Sequence, residues 1–188
     1  MMKITGGQQK GRIIHAPKSM VRPTQNLLRE AIFNILGSHF FEGTAVLDLF
    51  CGSGALGLEA LSRGAKTVTF IDNNKESLLC VRENLAVFGD DGGKGSLLIK
   101  TDVFKKIPDF ASKGDKFDFI FADPPYYKGL SKKCLQTLDE YDILASNAVI
   151  LLEYFKKDDV NIETKNLILS DTRQYGDTNI SFFRKRKK

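Results

Sequence analysis

The sequence predicts a doubly wound α/β fold, a Rossmann-like arrangement in which helices cover both faces of a seven-stranded, mostly parallel sheet. Three observations predict it. Apolar runs alternate with helical segments from residue 45 onward, a glycine-rich loop follows the first run, and two β segments without an intervening helix end the chain. Strands that alternate with helices pair in parallel and are buried on both faces, so their sequences are continuously apolar.

Five apolar runs are the predicted parallel strands: 45–50, 67–72, 96–102, 117–123 and 148–155. Helices are expected after three of them, in "GALGLEALSRGA", "NKESLLCVRENLAVFG" and "LSKKCLQTLDEYDIL". Gly64 is expected just past the end of the first helix, where a left-handed residue is common. The alternation of these elements is what favours parallel pairing.

The last two β segments, "NLILSDTRQYG" and "TNISFFRKRK", meet at a tight turn near Gly176 and Asp177. No helix fits between them, so they are predicted to pair antiparallel. Because neighbouring residues of a strand point to opposite faces, at most one of Phe182 and Phe183 is expected in the core.

An amphipathic helix, "TQNLLREAIFNILGSHF", precedes the first parallel strand. Its apolar face is predicted to consist of Leu27, Leu28, Ala31, Ile32 and Ile35. Residues 1–22 form short β segments and turns, which we interpret as a β-rich extension of a single domain spanning residues 1–188.

The charge of the chain is concentrated at its ends. Residues 1–29 hold six Lys or Arg and no acid, and the last five residues add five more cations. Removing these eleven charges from the net +5 leaves −6 for the rest of the chain. A basic terminus on an acidic body favours a polyanionic partner, and for the N-terminal extension we expect a nucleic acid.

Composition excludes several other classes of protein. No apolar run approaches the ~20 residues that span a bilayer, and the first residues lack the apolar stretch of a signal peptide, so no membrane partner is expected. The cysteines, Cys51, Cys80 and Cys134, form no CxxC pair, which argues against a disulfide framework and a metal site. We therefore expect a cytoplasmic monomer.

A glycine loop follows the first strand in "LDLFCGSGALGLEAL". Gly52, Gly54 and Gly57 match the pattern G-x-G-x-x-G, and Asp72 ends the next strand eighteen residues after Gly54. In such sheets a ligand binds at the carboxyl ends of the strands, and an acid in this position binds ribose hydroxyls. By this pattern alone, a nicotinamide dinucleotide and an oxidoreductase activity remain open.

Asp48 favours a different cofactor, because a carboxylate before the glycines suits a cationic amino group better than a bare pyrophosphate. S-adenosylmethionine offers an ammonium, a sulfonium and an adenosine ribose. Gly52 and Gly54 would allow the backbone to approach it closely. Asp102, at the end of the third strand, is the candidate acceptor for the adenine amino group.

The stretch "ADPPY" ends the strand predicted to lie beside the first one, so Asp123 is expected to face the reactive end of the cofactor. Pro124 and Pro125 carry no N–H, so the backbone there presents only carbonyl acceptors. The Asp123 carboxylate and the Pro124 carbonyl can each accept one hydrogen from a planar exocyclic NH₂. Tyr126 can stack on the base, which contributes ~1–3 kcal/mol.

Methyl transfer from a sulfonium to an amine moves positive charge onto nitrogen, so a strong base is not required. Most of the acceleration is expected from in-line positioning at contacts of roughly 3–3.5 Å, with Asp123 stabilising the charge on the nitrogen. The base must leave its stack to reach such a corner, and single-stranded loops of folded RNA make this easy.

These motifs resemble a known family. In order along the chain, "ITGGQQKGRIIHAP", "RPTQNLLREAIFNIL", "VLDLFCGSGALGLEALSRGA" and "FDFIFADPPY" are similar to the bacterial 16S ribosomal RNA guanine-N2 methyltransferases of the small-subunit methyltransferase D type. The last two are shared by many class I methyltransferases, and the first two point to this family.

The resemblance implies that ribosomal RNA, or the small ribosomal subunit, is the partner and S-adenosylmethionine the cofactor. The candidate catalytic residues are Asp123, Pro124, Pro125 and Tyr126. The candidate cofactor-binding residues are Asp48, Phe50, Gly52, Gly54, Asp72, Asn73, Asp102 and Val103. The candidate substrate-binding residues are Lys10, Arg12, Arg22 and Thr24. The family commonly has Thr-Thr-Asp-Arg after Arg-Pro, whereas this chain has Thr24-Gln25-Asn26-Leu27, so no role is carried over to Asn26 or Leu27.

Three alternatives remain beside guanine-N2 methylation of 16S ribosomal RNA. An adenine-N6 methyltransferase acting on DNA or RNA uses the same corner, although a DNA enzyme usually needs a target-recognition region, and no segment is free to form one. A nicotinamide-dependent oxidoreductase needs an acid or base for hydride transfer, and neither His15 nor His39 is near a strand end. A catalytically silent RNA-binding protein would use the basic ends alone.

Overall fold

The structure, a computed structural model, describes residues 2–16, 24–37, 39–86, 88–89, 93, 95–126, 129–160 and 162–187. Seven of its strands belong to a mostly parallel sheet with antiparallel C-terminal strands, which confirms the predicted fold class. The chain forms two compact units, Met1–Lys100 and Thr101–Lys188, and each is described by itself.

The described part of the first unit contains a small hairpin and three parallel strands with their helices. Its elements are β1 (Met2–Lys3), β2 (Ile13–Ile14), α1 (Thr24–Leu36), β3 (Ala45–Leu49), α2 (Ala55–Ser62), β4 (Thr67–Asp72), α3 (Lys75–Ala86) and β5 (Leu97–Lys100). β1 and β2 pair antiparallel, as the predicted extension requires. β4 lies between β3 and β5 and pairs in parallel with both.

The core of the first unit forms where β3 and β4 are continuously apolar. Val46, Leu47, Val68 and Phe70 have no exposed surface, which is the pattern of strands covered on both faces. Gly64 has φ 97° directly after the end of α2, so its predicted position beyond the helix is confirmed.

The apolar face of α1 differs from the prediction at one residue. Leu28, Ile32 and Phe33 are buried, whereas Leu27 is 72% exposed. The buried face of α1 includes Arg29 instead, because its guanidinium lies 3.7 Å from the buried carboxylate of Glu59. The apolar character of Leu27 therefore does not predict which face of α1 is buried.

In its described residues, the second unit contains two helices and four strands of the sheet. Its elements are α4 (Val103–Lys113), β6 (Phe117–Ala122), α5 (Leu130–Glu140), β7 (Leu144–Phe155), β8 (Leu167–Tyr175) and β9 (Thr178–Lys185). The strands lie in the order β6, β7, β9, β8. β6 and β7 are parallel, and β9 pairs antiparallel with β7 and β8, as predicted for the end of the chain.

The prediction that at most one of Phe182 and Phe183 is core is wrong. They are 4% and 6% exposed although they point to opposite faces of β9. β9 lies inside the sheet rather than at its edge. The burial of both rings shows that both faces of the sheet are covered at this position.

The helix α4 was not predicted. Asp102 caps it by accepting a hydrogen bond from Phe104 N at 2.7 Å, and Ile107 and Phe110 bury one face. Pro108 stands within the helix, and an interior proline ordinarily argues against one. The apolar stripe and the cap together outweigh that cost.

Within the described residues, no helix combines the length and the apolar character required to cross a membrane.

Gly57 in α2 is predicted to tolerate no side chain. A Cβ there would lie 2.3 Å from Cε1 of Phe70 and 2.9 Å from Oδ2 of Asp48. Gly57→Ala should therefore lower the free energy of unfolding by ~1–3 kcal/mol through overpacking, although alanine normally favours a helix. Urea unfolding measures this. Gly93→Ala is the control, because its Cβ would meet Leu85 at an ordinary 3.4 Å; equal losses in the two variants would contradict the packing argument.

Candidate functional site

The glycine loop between β3 and α2 has a left-handed backbone at three positions. Phe50 has φ 59°, Gly52 has φ 53° and Gly54 has φ 77°. Phe50 is the one non-glycine residue with positive φ among those described, and such a residue in a loop indicates a constrained conformation. The loop can therefore turn sharply and present its backbone to a ligand.

Asp72 ties this loop to the end of β4. Its Oδ2 accepts a hydrogen bond from Gly52 N at 2.9 Å, and its Oδ1 accepts one from Asn74 N at 2.8 Å. Cys51 N donates to Ile71 O at 3.0 Å beside it. Since a carboxylate has about four lone-pair sites, Asp72 keeps acceptor capacity for a ligand hydroxyl.

Asp48 lies beneath the loop, in β3, and is 2% exposed. Its Oδ2 accepts a hydrogen bond from Gly57 N at 3.0 Å, so it holds the first turn of α2. Burial raises the pKa of Asp48 to about 7, the hydrogen bond from Gly57 opposes this rise, and the nearby charge of Asp72 adds to it. Asp48 therefore positions the loop and places a buried carboxyl beneath it.

No salt bridge to Asp48 or Asp72 is found in the described part of the chain. Asp72, together with Asp48 in its ionised form, therefore places negative charge at this loop that no salt bridge of the described residues offsets. Such a loop attracts a cation and repels a phosphate.

The other predicted cofactor residues occupy turns after strands. Asn73 is exposed after β4, and Asp102 is exposed at the start of α4, where it caps the helix. Val103 is 3% exposed. Its N–H lies in the first turn of α4, where N–H groups lack intrahelical partners, so this is the group of Val103 that could donate to a ligand.

The proline corner follows β6 in the second unit. Asp123 is half-buried, Pro124 is buried, Pro125 is exposed and Tyr126 is half-buried. The corner thus presents a carboxylate and a phenol ring at the end of a strand that is itself fully buried from Phe119 to Ala122.

Tyr126 is anchored by two residues that the sequence analysis missed. Its hydroxyl donates to Glu153 Oε1 at 2.7 Å and lies 3.0 Å from Thr178 Oγ1. Its ring centroid is 6.1 Å from that of Phe155. Burial, and then the charge of Glu153, raise the pKa of Tyr126, so its hydroxyl remains a donor. The signal was present in "AVILLEYF", where a lone acid interrupts an apolar strand.

The predicted substrate residues are placed only in part. Lys10 and Arg12 are exposed in the turn between β1 and β2. Thr24 begins α1, its side chain lies outside the described residues, and Arg22 lies outside them entirely.

The basic C-terminus is partly used within the second unit. Lys185 Nζ is 2.7 Å from Asp142 Oδ1 and 3.1 Å from Leu144 O, and Arg186 Nε donates to Lys165 O at 3.1 Å. Lys116 and Lys185 together lower the pKa of Asp142 to about 2. These two cations of the tail therefore bind the end of β9 to its own unit, which weakens the prediction that the tail serves a polyanion.

The sheet order within each unit, the glycine loop and the proline corner define a class I methyltransferase fold. The structure of the putative methyltransferase yhhF from Escherichia coli has the same fold, with a TM-score of 0.84 and 28% identity, over 100% of this chain and 99% of that one. The class is thus established by architecture as well as by motifs.

Two curated relatives and a family model show which family of proteins the chain belongs to. The putative rRNA methyltransferase YlbH of Bacillus subtilis is 32% identical over 98% of this chain and 100% of its own length. Ribosomal RNA small subunit methyltransferase D of Escherichia coli is 34% identical over 81% of this chain and 74% of its own length. Residues 2–184 match the family described as Conserved hypothetical protein 95, and the chain belongs to that family.

The raised pKa of Asp48 predicts a pH dependence of stability. A carboxyl whose pKa rises from 3.8 to about 7 binds its proton more tightly in the folded state. The free energy of unfolding should therefore fall as pH rises from about 4 to about 7, by up to ~4 kcal/mol, and be level above. Asp48→Asn, which still accepts from Gly57, should remove this slope. Urea unfolding across pH measures it, and parallel profiles of wild type and variant would contradict it.

The hydrogen bonds of the Tyr126 hydroxyl predict that removing this one oxygen atom lowers the stability of the protein substantially. Tyr126→Phe keeps the ring but leaves the buried Glu153 without its phenolic donor, so the free energy of unfolding should fall by ~1–3 kcal/mol. Tyr141→Phe is the control: no hydrogen bond of its hydroxyl occurs among the described residues, and a change within ~0.5 kcal/mol is expected. Equal effects in denaturant unfolding would argue against the anchor.

Proposed function

We propose that this protein transfers a methyl group from S-adenosylmethionine to the exocyclic N2 amine of a guanine in 16S ribosomal RNA. The observation that carries the proposal is the Asp-Pro-Pro-Tyr corner, residues 123–126, in a member of a family whose relatives are named ribosomal RNA methyltransferases. The steps below assign the roles.

The glycine loop fits S-adenosylmethionine. It has two carboxyl groups and no protein counter-charge in the described part of the chain, so it suits a ligand with an ammonium and a sulfonium. Asp72 retains lone pairs for ribose hydroxyls, and the left-handed backbone at Gly52 and Gly54 supports close approach. When bound, the cofactor supplies an electrophilic methyl group.

The adenine end of the cofactor is assigned to Asp102 and Val103. Asp102 is exposed, and its Oδ1 accepts the hydrogen bond that caps α4. Its Oδ2 can therefore accept a hydrogen bond from an exocyclic amine. The N–H of Val103, which precedes the three N–H groups of α4 that donate to Asp102, can supply a donor for a ring nitrogen. Phe50 and Asn73 complete this set, one with an aromatic face and one with an exposed amide.

The proline corner is assigned to the guanine. Asp123 and the Pro124 carbonyl accept the two hydrogens of the amine, which aims its lone pair and neutralises charge on the nitrogen. Tyr126 holds the base by stacking, and its hydroxyl bond to Glu153 keeps the ring in one orientation. The proton released after transfer passes to Asp123 or to water.

Ribosomal RNA is assigned as substrate because the relatives carry that activity in their names and the extension is basic. Lys10 and Arg12 are exposed on the hairpin turn and suit phosphate contacts. Adenine N6 is the rival acceptor, since the corner recognises an amine on either base, and the nucleoside product decides between them.

Asp123→Asn tests the corner. It keeps the shape of the side chain but removes its charge, so tritiated methyl transfer to ribosomal RNA should fall by ~100-fold or more while RNA retention changes little. Asp115→Asn, two residues before β6 and outside the corner, should transfer at the wild-type rate. Transfer that survives Asp123→Asn would refute the mechanism.

Cofactor and product identity test the remaining assignments. S-adenosylhomocysteine should raise the midpoint of thermal unfolding saturably, whereas NADH should not. Digested 16S ribosomal RNA from cells with and without the protein should differ by one N2-methylguanosine in mass spectrometry. A difference in N6-methyladenosine would instead support the adenine-N6 methyltransferase. Stabilisation by NADH and not by S-adenosylhomocysteine would support the nicotinamide-dependent oxidoreductase.

A further inference from the structure

Asn84, on α3, is fully buried and connects the glycine loop to the end of the N-terminal extension, two segments that are far apart in the sequence. Its Nδ2 donates to Ser53 O in the glycine loop at 3.1 Å and to His15 O at 2.8 Å. Its Oδ1 accepts from His15 N at 2.8 Å. One amide thus binds the cofactor loop and the end of the N-terminal extension together.

The amide of Asn84 has no remaining freedom. Both of its N–H groups and its oxygen are engaged, and the side chain has no exposed surface. A buried amide in this state cannot reorient without breaking a hydrogen bond. A displacement of Ser53 therefore shifts the position of His15 through the Asn84 amide. Val81, one turn earlier on α3, packs against Gly54, since a Cβ at Gly54 would lie 2.9 Å from Val81 Cγ2.

The hairpin end of the extension is held separately, by Glu59 and Ser62 on α2. Glu59 has no exposed surface and accepts from Thr5 N at 2.8 Å, Thr5 Oγ1 at 2.7 Å and Gly6 N at 2.8 Å. Ser62 Oγ accepts from Gln9 N at 2.9 Å. These contacts fix the hairpin but touch no residue of the loop from Phe50 to Gly54.

We propose that Asn84 is a positioning residue that couples cofactor binding to RNA binding. A cofactor that orders the glycine loop fixes Ser53, and through Asn84 it fixes His15, at the end of the extension that carries the exposed Lys10 and Arg12. Coupling of this kind is reciprocal, so RNA must strengthen cofactor binding by the same factor. The proposal rests on the proposed function, because it requires both ligands.

The test measures RNA affinity with and without saturating S-adenosylhomocysteine. The probe is protein-free 16S ribosomal RNA from cells that lack the protein. In the wild type the cofactor product should tighten RNA binding about 5-fold or more, and RNA should tighten S-adenosylhomocysteine binding equally. Asn84→Leu, similar in volume but without hydrogen bonds, should reduce this coupling factor to below about 2.

Ser62→Ala is the matched control. It loosens the extension at the hairpin, away from the glycine loop, so it should weaken RNA binding while leaving the coupling factor at the wild-type value. Loss of coupling in both variants would show that any damage to the extension abolishes it, and the assignment to Asn84 would be wrong.

A measurement on the wild type makes the proposal independent of how Asn84→Leu folds. Exchange of the His15 amide hydrogen, which is bonded to Asn84 Oδ1, should slow on adding S-adenosylhomocysteine without RNA. An unchanged rate, with the ligand bound, overturns the coupling and leaves the proposed function intact. Failure of S-adenosylhomocysteine to bind at all overturns both.

Discussion

A carboxylate removed from water must be given hydrogen-bond donors or cations, and this constraint organises both units of the protein. Asp48 receives the Gly57 N–H and so holds the start of α2. Glu59 receives three donors from the extension, and Glu153 receives the hydroxyl of Tyr126. Each buried acid thus fixes a second segment of its own unit through hydrogen bonds.

The acids differ in whether the protein supplies a cation. Glu59 has Arg63 Nε at 2.9 Å and Arg29 Nε at 3.7 Å, so its charge is compensated and its role is structural. Asp48 has no such partner among the described residues, and burial raises its pKa to about 7. An uncompensated buried acid is costly for folding alone, and such a cost is typical of residues that serve a ligand.

The sequence predicts the fold because its signals are local and repeated: apolar runs, capping glycines and a turn at Gly176. It fails where burial depends on neighbours distant in the chain. Phe182 and Phe183 are both core because both faces of the sheet are covered at β9, and α4 forms despite Pro108 because its apolar stripe packs. At the site, the loop and corner are visible as motifs, whereas Glu153, Thr178, Asn84 and Glu59 act across 27 to 69 residues of chain, so no short pattern contains both partners.

The electrostatics of the loop also separate the two cofactor classes that the glycine pattern leaves open. A cation beside the loop lowers the pKa of Asp48 and is itself favoured by the charge that results, so each stabilises the other. A pyrophosphate does the reverse, because it adds negative charge next to Asp48 and Asp72, which already repel each other. The same G-x-G-x-x-G spacing can therefore serve either ligand, and the charge beneath it decides which one binds.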